Sequence, residues 1–212
     1  MIFTFITCNI IILSLYPLIT HLLGKHSNSF LISKRKKYIV KNIIKSISLL
    51  FLTILTLVYV FPNSVWDNNV IRSIACAYVA NDFVGLLVCK LPITTRIHHI
   101  VSCIFLLFSQ FVDFNENLEA QMLFYYTFFS ACTFFVNTYL GLRLCFDNLF
   151  ILKNICKYGY LFVIIINWSV QLYLGIGVVE FWYVLLIIMV MCDDIILLKW
   201  LWDINSKQIS LK

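Results

Sequence analysis

Charge is scarce in this chain. Of its 212 residues only 12% are Asp, Glu, Lys or Arg, and 62% are apolar, whereas a soluble domain is about a quarter charged and about half apolar. Too little polar surface remains to cover a core of this size, which excludes a water-soluble globular domain. Internal repeats, low-complexity segments and a glycine-rich phosphate loop are absent, as is the G-x-S-x-G elbow of serine hydrolases. Four histidines are too few for the His boxes of membrane di-iron hydroxylases and desaturases. The eight cysteines form no C-x-x-C pair. Scattered through apolar runs, they read as small packing residues rather than a disulfide framework or a zinc site.

What is present is a succession of long apolar runs. At ~20 residues per crossing, the chain holds seven helices with short loops and no sizeable extramembrane domain. The expected spans are residues 2–23, 39–61, 70–89, 97–112, 118–142, 158–178 and 181–202. Pro62-Asn63 marks a turn after the second, and Lys90-Leu91-Pro92 ends the third, because proline cannot continue a helical ladder. The first run lacks a positive n-region and a small-residue cleavage site, so it reads as an uncleaved helix rather than a signal peptide.

Orientation follows from the basic residues. With the N-terminus lumenal, fifteen of the sixteen Lys and Arg fall on the cytosolic side, including the Lys34-Arg35-Lys36-Lys37 run, Lys41 and Lys45; Arg72 alone falls opposite. The net charge of +6 is thereby explained as a topology signal, and no nucleic-acid partner is expected. Binding of anionic lipid by the Lys34–Lys37 run is the competing reading.

The informative side chains are those that hydrocarbon should reject. An ionisable group at mid-bilayer costs at least ~2.5–3.5 kcal/mol, so it faces a cavity or a partner. Asp82 in the third span, His98 and His99 opening the fourth, and Asp193-Asp194 in the seventh all fall in the cytosolic half. Asp82 lies about 12 Å above Lys90 at ~1.5 Å per residue. The third and fourth spans are joined by a short loop and should be neighbours. A polar cavity open to the cytosol follows, lined by Asn81, Ser102, Asn137, Asp193 and Asp194 around Asp82, His98 and His99. Interfacial histidines and snorkelling aspartates are the blander alternative. Adjacent histidines on one helix diverge by about 100°, so only one should face the cavity, and neither a metal nor a cofactor is expected.

These residues carry a family resemblance. Tyr78-Val79-Ala80-Asn81-Asp82, Leu91-Pro92 and Ile97-His98-His99-Ile100-Val101 resemble the TLC domain shared by ceramide synthases, TRAM-type translocation proteins and small TLC-domain membrane proteins. Ser130-Ala131-Cys132-Thr133-Phe134-Phe135-Val136-Asn137 resembles the Glu-x-Ser-Thr-x-Phe-x-Asn pattern of the family's next helix, with Arg143 at its basic end. Ser130 stands where that pattern has Glu and Cys132 where it has Ser. No aspartate follows in the fifth span, where ceramide synthases carry theirs. The resemblance implies a TLC-like six-helix core over residues 33–203, one further N-terminal span with its loop over 1–32, and a cytosolic tail over 204–212.

The leading functional expectation is therefore an all-α multi-pass protein of the endoplasmic reticulum or another endomembrane. It would sense, bind or maintain membrane lipids, sphingolipids among them, through its cavity. The partner is membrane lipid, and a homodimer is left open. A ceramide-synthase-like N-acyltransferase is the alternative. There His98 or His99 acts as base or nucleophile, Asp82 orients the imidazole, and acyl-CoA is a substrate rather than a cofactor. A small proton-coupled transporter or channel using the same residues is the third reading.

Overall fold

The computed structural model of the chain describes residues 2–62, 66–175 and 180–209, and the regular elements among them are all helical. They are α1 (Ile2–His26), α2 (Asn28–Ile32), α3 (Lys36–Leu55) continued by a π turn (Thr56–Val60), α4 (Asn68–Val88), α5 (Ile93–Ser109), α6 (Leu118–Cys132), α7 (Phe134–Leu142), α8 (Phe150–Gly175) and α9 (Phe181–Ile209). In lipid every backbone N–H and C=O must find a partner within the protein, and a helix does so within each apolar run. Among the described residues, four helices are long and apolar enough to cross a membrane: α1, α3 with its π turn, α4 and α8. The 17-residue α5 is apolar but shorter.

The helix ends follow local chemistry. The Asp67 carboxylate accepts hydrogen bonds from the N–H groups of Asn69 and Val70 to start α4, and Asn117 accepts from Ala120 to start α6. Ser27 accepts from Phe30 N–H and donates to the Cys145 carbonyl, which ties the α1–α2 corner to the end of α7. Pro92, whose ring fixes φ, immediately precedes α5. In the π turn the Phe61 N–H reaches back five residues to the Thr56 carbonyl.

Helix α3 packs on α4 and on both α6 and α7; α4 packs on α5, α5 on α9, α9 on α8, and α8 on α6 and α7. The described helices thus close into a ring of six rods, counting α6 and α7 as one broken rod. Helix α1 lies outside the ring against α3 and α4, with most of its side chains exposed. At one end of the bundle Arg72 donates to the Ser109 and Val112 carbonyls, and the Asn68 amide bridges Asp113 and the Phe114 N–H. Hydrogen bonds from the side chain of Asn68 and from Asn115 hold the Asp113 carboxyl below the usual carboxylate range. The other end carries the Lys34–Lys37 run.

Several boundaries differ from the sequence expectation. The fifth span is two helices, because Thr133 leaves the α-helical ψ and turns its hydroxyl onto the Ser130 carbonyl at 2.7 Å. Helix α8 begins at Phe150, not Tyr158, and so takes in Lys153 and Lys157. Helix α9 runs past Trp202 into the expected tail, as far as Ile209. Asn63, residues 176–178 and the tail residues 210–212 lie outside the described residues.

Candidate functional site

The ring encloses a cavity of about 1010 Å³. Its mouth, at the end carrying the Lys34–Lys37 run, is lined by Lys34, Arg35, Lys37, Lys90 and Arg143. Deeper in, α3 contributes Lys41 and Lys45, α4 Asp82, α5 His98 and His99, and α9 Asp193 and Asp194. Arg143 is held over the Trp200 ring at 4.4 Å.

Asp82 is the centre of the buried network, with 1% of its surface accessible. Its Oδ2 accepts from Lys45 Nζ at 2.8 Å. The same ammonium donates to the Tyr78 carbonyl at 3.0 Å and sits 4.0 Å from the centre of the Tyr78 ring. Lys45 is therefore satisfied on three sides. Asp82 Oδ1 approaches His99 Nδ1 at 3.2 Å, a close contact without hydrogen-bond alignment. The other ring nitrogen of His99, Nε2, lies 3.2 Å from Lys41 Nζ. Lysine, carboxylate, imidazole and lysine thus form one chain across α3, α4 and α5.

A second group lies on the α9 side. His98 Nδ1 stands 3.5 Å from Asp193 Oδ2, and the His98 and His99 rings meet edge to face at 5.7 Å. The Asp194 carboxylate accepts the hydroxyl of Tyr126 at 2.6 Å and that of Tyr160 at 2.8 Å, so α6, α8 and α9 are tied at one carboxylate.

Of the expected site residues, Asp82, His98, His99, Asn137, Asp193 and Asp194 all line this cavity. Two do not. Asn81 is buried, points elsewhere than its neighbour Asp82, and has no partner for either amide atom among the described residues. Ser102 donates to the His98 carbonyl at 3.0 Å and lines a separate, narrow apolar cleft between α4, α5, α6 and α9. That cleft shares Tyr78 and His98 with the polar cavity and runs toward Ser109 and Phe114.

Both histidines reach the cavity, although only one was expected to. They divide the work, His99 turning to α3 and α4 and His98 to α9. The donor atoms of Asp82, His98 and His99 lie within 4.8 Å of one another, close enough to converge on one cation, so divergence along the helix is no argument against a metal here. The surroundings are an argument: the Lys45 ammonium already holds Asp82 Oδ2, and Lys41 Nζ already stands against His99 Nε2.

Sequence reasoning missed Lys41 and Lys45. Counted with the loop charges beside the Lys34–Lys37 run, both are buried within α3. Their spacing of four places them on one helix face, a signal that was available. Tyr126 and Tyr160 carried no such signal among eleven tyrosines. No protein-family model, no curated protein and no solved structure matches the chain.

Proposed function

We propose that this protein binds a membrane lipid, with a polar head in the cavity and its chain directed toward the apolar cleft on the other side of Tyr78 and His98. The observation that carries this reading is the adjacency of the two spaces: a large chamber with five basic residues at its mouth and a narrow apolar cleft share Tyr78 and His98 as a common wall. An amphiphile matches that change of lining, since apolar surface removed from water stabilises by roughly 25 cal/mol per Å² and anionic head oxygens pair with Lys and Arg. In this reading the chain crosses the bilayer about seven times as a TLC-like core with one added N-terminal span. The basic mouth faces the cytosol of an endomembrane, and the role is lipid sensing or homeostasis.

Acyl transfer is the second reading, favoured by one observation. His98 borders both spaces, and Asp193 stands 3.5 Å from its Nδ1, so its imidazole is placed where a head and a chain would join. Native mass spectrometry of the detergent-purified protein, with lipidomics of what it carries, tests both. A stoichiometric lipid with an intact protein mass supports binding. An acyl mass retained on a His98 peptide supports transfer, and a protein that carries no lipid refutes the proposal.

A further inference from the structure

Lys41 is the group in the cavity that the lipid-binding reading does not use. It is 4% exposed, and yet it does not pair with the nearby carboxylate. Lys45, one turn later on α3, takes Asp82 Oδ2. Lys41 Nζ instead faces the Nε2 of His99 at 3.2 Å. A cation serving only to neutralise the interior would face an anion; an amine facing a ring nitrogen has a proton acceptor in line. The seat for this side chain is built into α4. At Gly85 a Cβ would stand 3.0 Å from Lys41 Cε and within 3.7 Å of Cγ and Cδ, so any side chain there would press on the lysine stem.

We propose that Lys41 is a nucleophilic amine that forms a reversible imine with a carbonyl-bearing lipid, a long-chain aldehyde, in this cavity. The inference rests on the lipid-binding reading above and deepens it by naming the ligand's reactive group. The lone pair of the Lys41 amine adds to the aldehyde carbon, and His99 Nε2 then takes a proton from the now cationic nitrogen, with Asp82 beside Nδ1 stabilising the imidazolium. His99 returns that proton to the oxygen. The carbinolamine then loses water to the chamber and leaves a C=N bond between lipid and Lys41. One aldehyde and one amine give one imine and one water, with no oxidant or reductant. A thioester or ester would instead leave a stable amide on Lys41 after a single event, so a reversible bond calls for an aldehyde or ketone carbonyl, and the aldehyde is the more reactive of the two.

The test is reductive trapping. The full chain in detergent is incubated with hexadecanal and cyanoborohydride, and each lysine-containing peptide is measured by mass spectrometry. The expected result is an alkyl adduct that forms on Lys41 well before the exposed lysines are labelled, with Lys45 unmodified because its ammonium is held by Asp82. His99→Gln should lower the rate of Lys41 labelling about a hundredfold, the contribution of a general base. Gly85→Ala should lower it by displacing the lysine stem while the protein still binds hexadecanol. Should Lys41→Gln fail to fold, the wild-type adduct pattern and the His99→Gln rate still decide the matter. Adducts spread over Lys34 and Lys37, with Lys41 unlabelled and hexadecanol still bound, overturn the imine and leave lipid binding standing. Failure to bind hexadecanol or hexadecanal at all overturns both.

Discussion

Replacing Asp82 with Leu is expected to destabilise the protein by about 3–5 kcal/mol, the cost of leaving a buried charge without its counter-charge. Lys45 is 5% exposed, and its remaining contacts, the Tyr78 carbonyl and ring, are dipolar. Neither supplies the negative charge that Asp82 does at 2.8 Å. The loss should appear as a lowered unfolding temperature in detergent and as aggregation on size exclusion. The double substitution Asp82→Leu with Lys45→Met should be less harmful than Asp82→Leu alone, because it removes the stranded cation as well as the anion. Coupling within such a network runs to about 0.5–3 kcal/mol. Additive losses in the double variant would mean that the two side chains do not depend on each other, and the Asp82-centred network would then not hold α3 to α4.

The second large effect concerns the mouth. Lys34, Arg35 and Lys37 are exposed and line the entrance. A basic residue near an anionic lipid surface contributes about 1 kcal/mol, so replacing all three with Gln should weaken binding of an anionic headgroup lipid by about 3 kcal/mol, or roughly 150-fold. Binding of an uncharged lipid with the same chain should change little. The difference should shrink in high salt, since exposed charges are screened within about 10 Å at 0.1 M. Competition between fluorescent anionic and zwitterionic lipids in nanodiscs measures this ratio. Equal losses for both headgroups would show that the substitutions disturbed the fold or its insertion rather than a charge-selective entrance.

The sequence pointed to Asp82, His98 and His99 because hydrocarbon makes an ionisable residue conspicuous: each stands in an apolar run, and the bilayer supplies the reason to look. Lys41 and Lys45 were hidden by the same logic. They follow directly on a basic run, where the positive-inside rule already accounts for a lysine, and only their four-residue spacing separates them from it. The break between α6 and α7 was illegible for a different reason. It falls at Thr133, eight residues from the nearest glycine and with no proline in the stretch, and what sets it is a hydroxyl turned onto the Ser130 carbonyl, which local composition does not encode. Asn81 shows the reverse error. Adjacency to Asp82 suggested a shared cavity, but neighbours on a helix point about 100° apart, and Asn81 ended away from it. The ring order of the helices lay beyond sequence reasoning altogether, apart from the α4–α5 pair joined by a short loop.

The most direct test of the account is an experimental density map of the protein in lipid nanodiscs. Elongated density should run from the Lys45 and His98 side chains into the cleft toward Ser109, with a compact head between His98 and the basic mouth. A chamber filled only with water, or one closed by collapse of α5 onto α3, would contradict it.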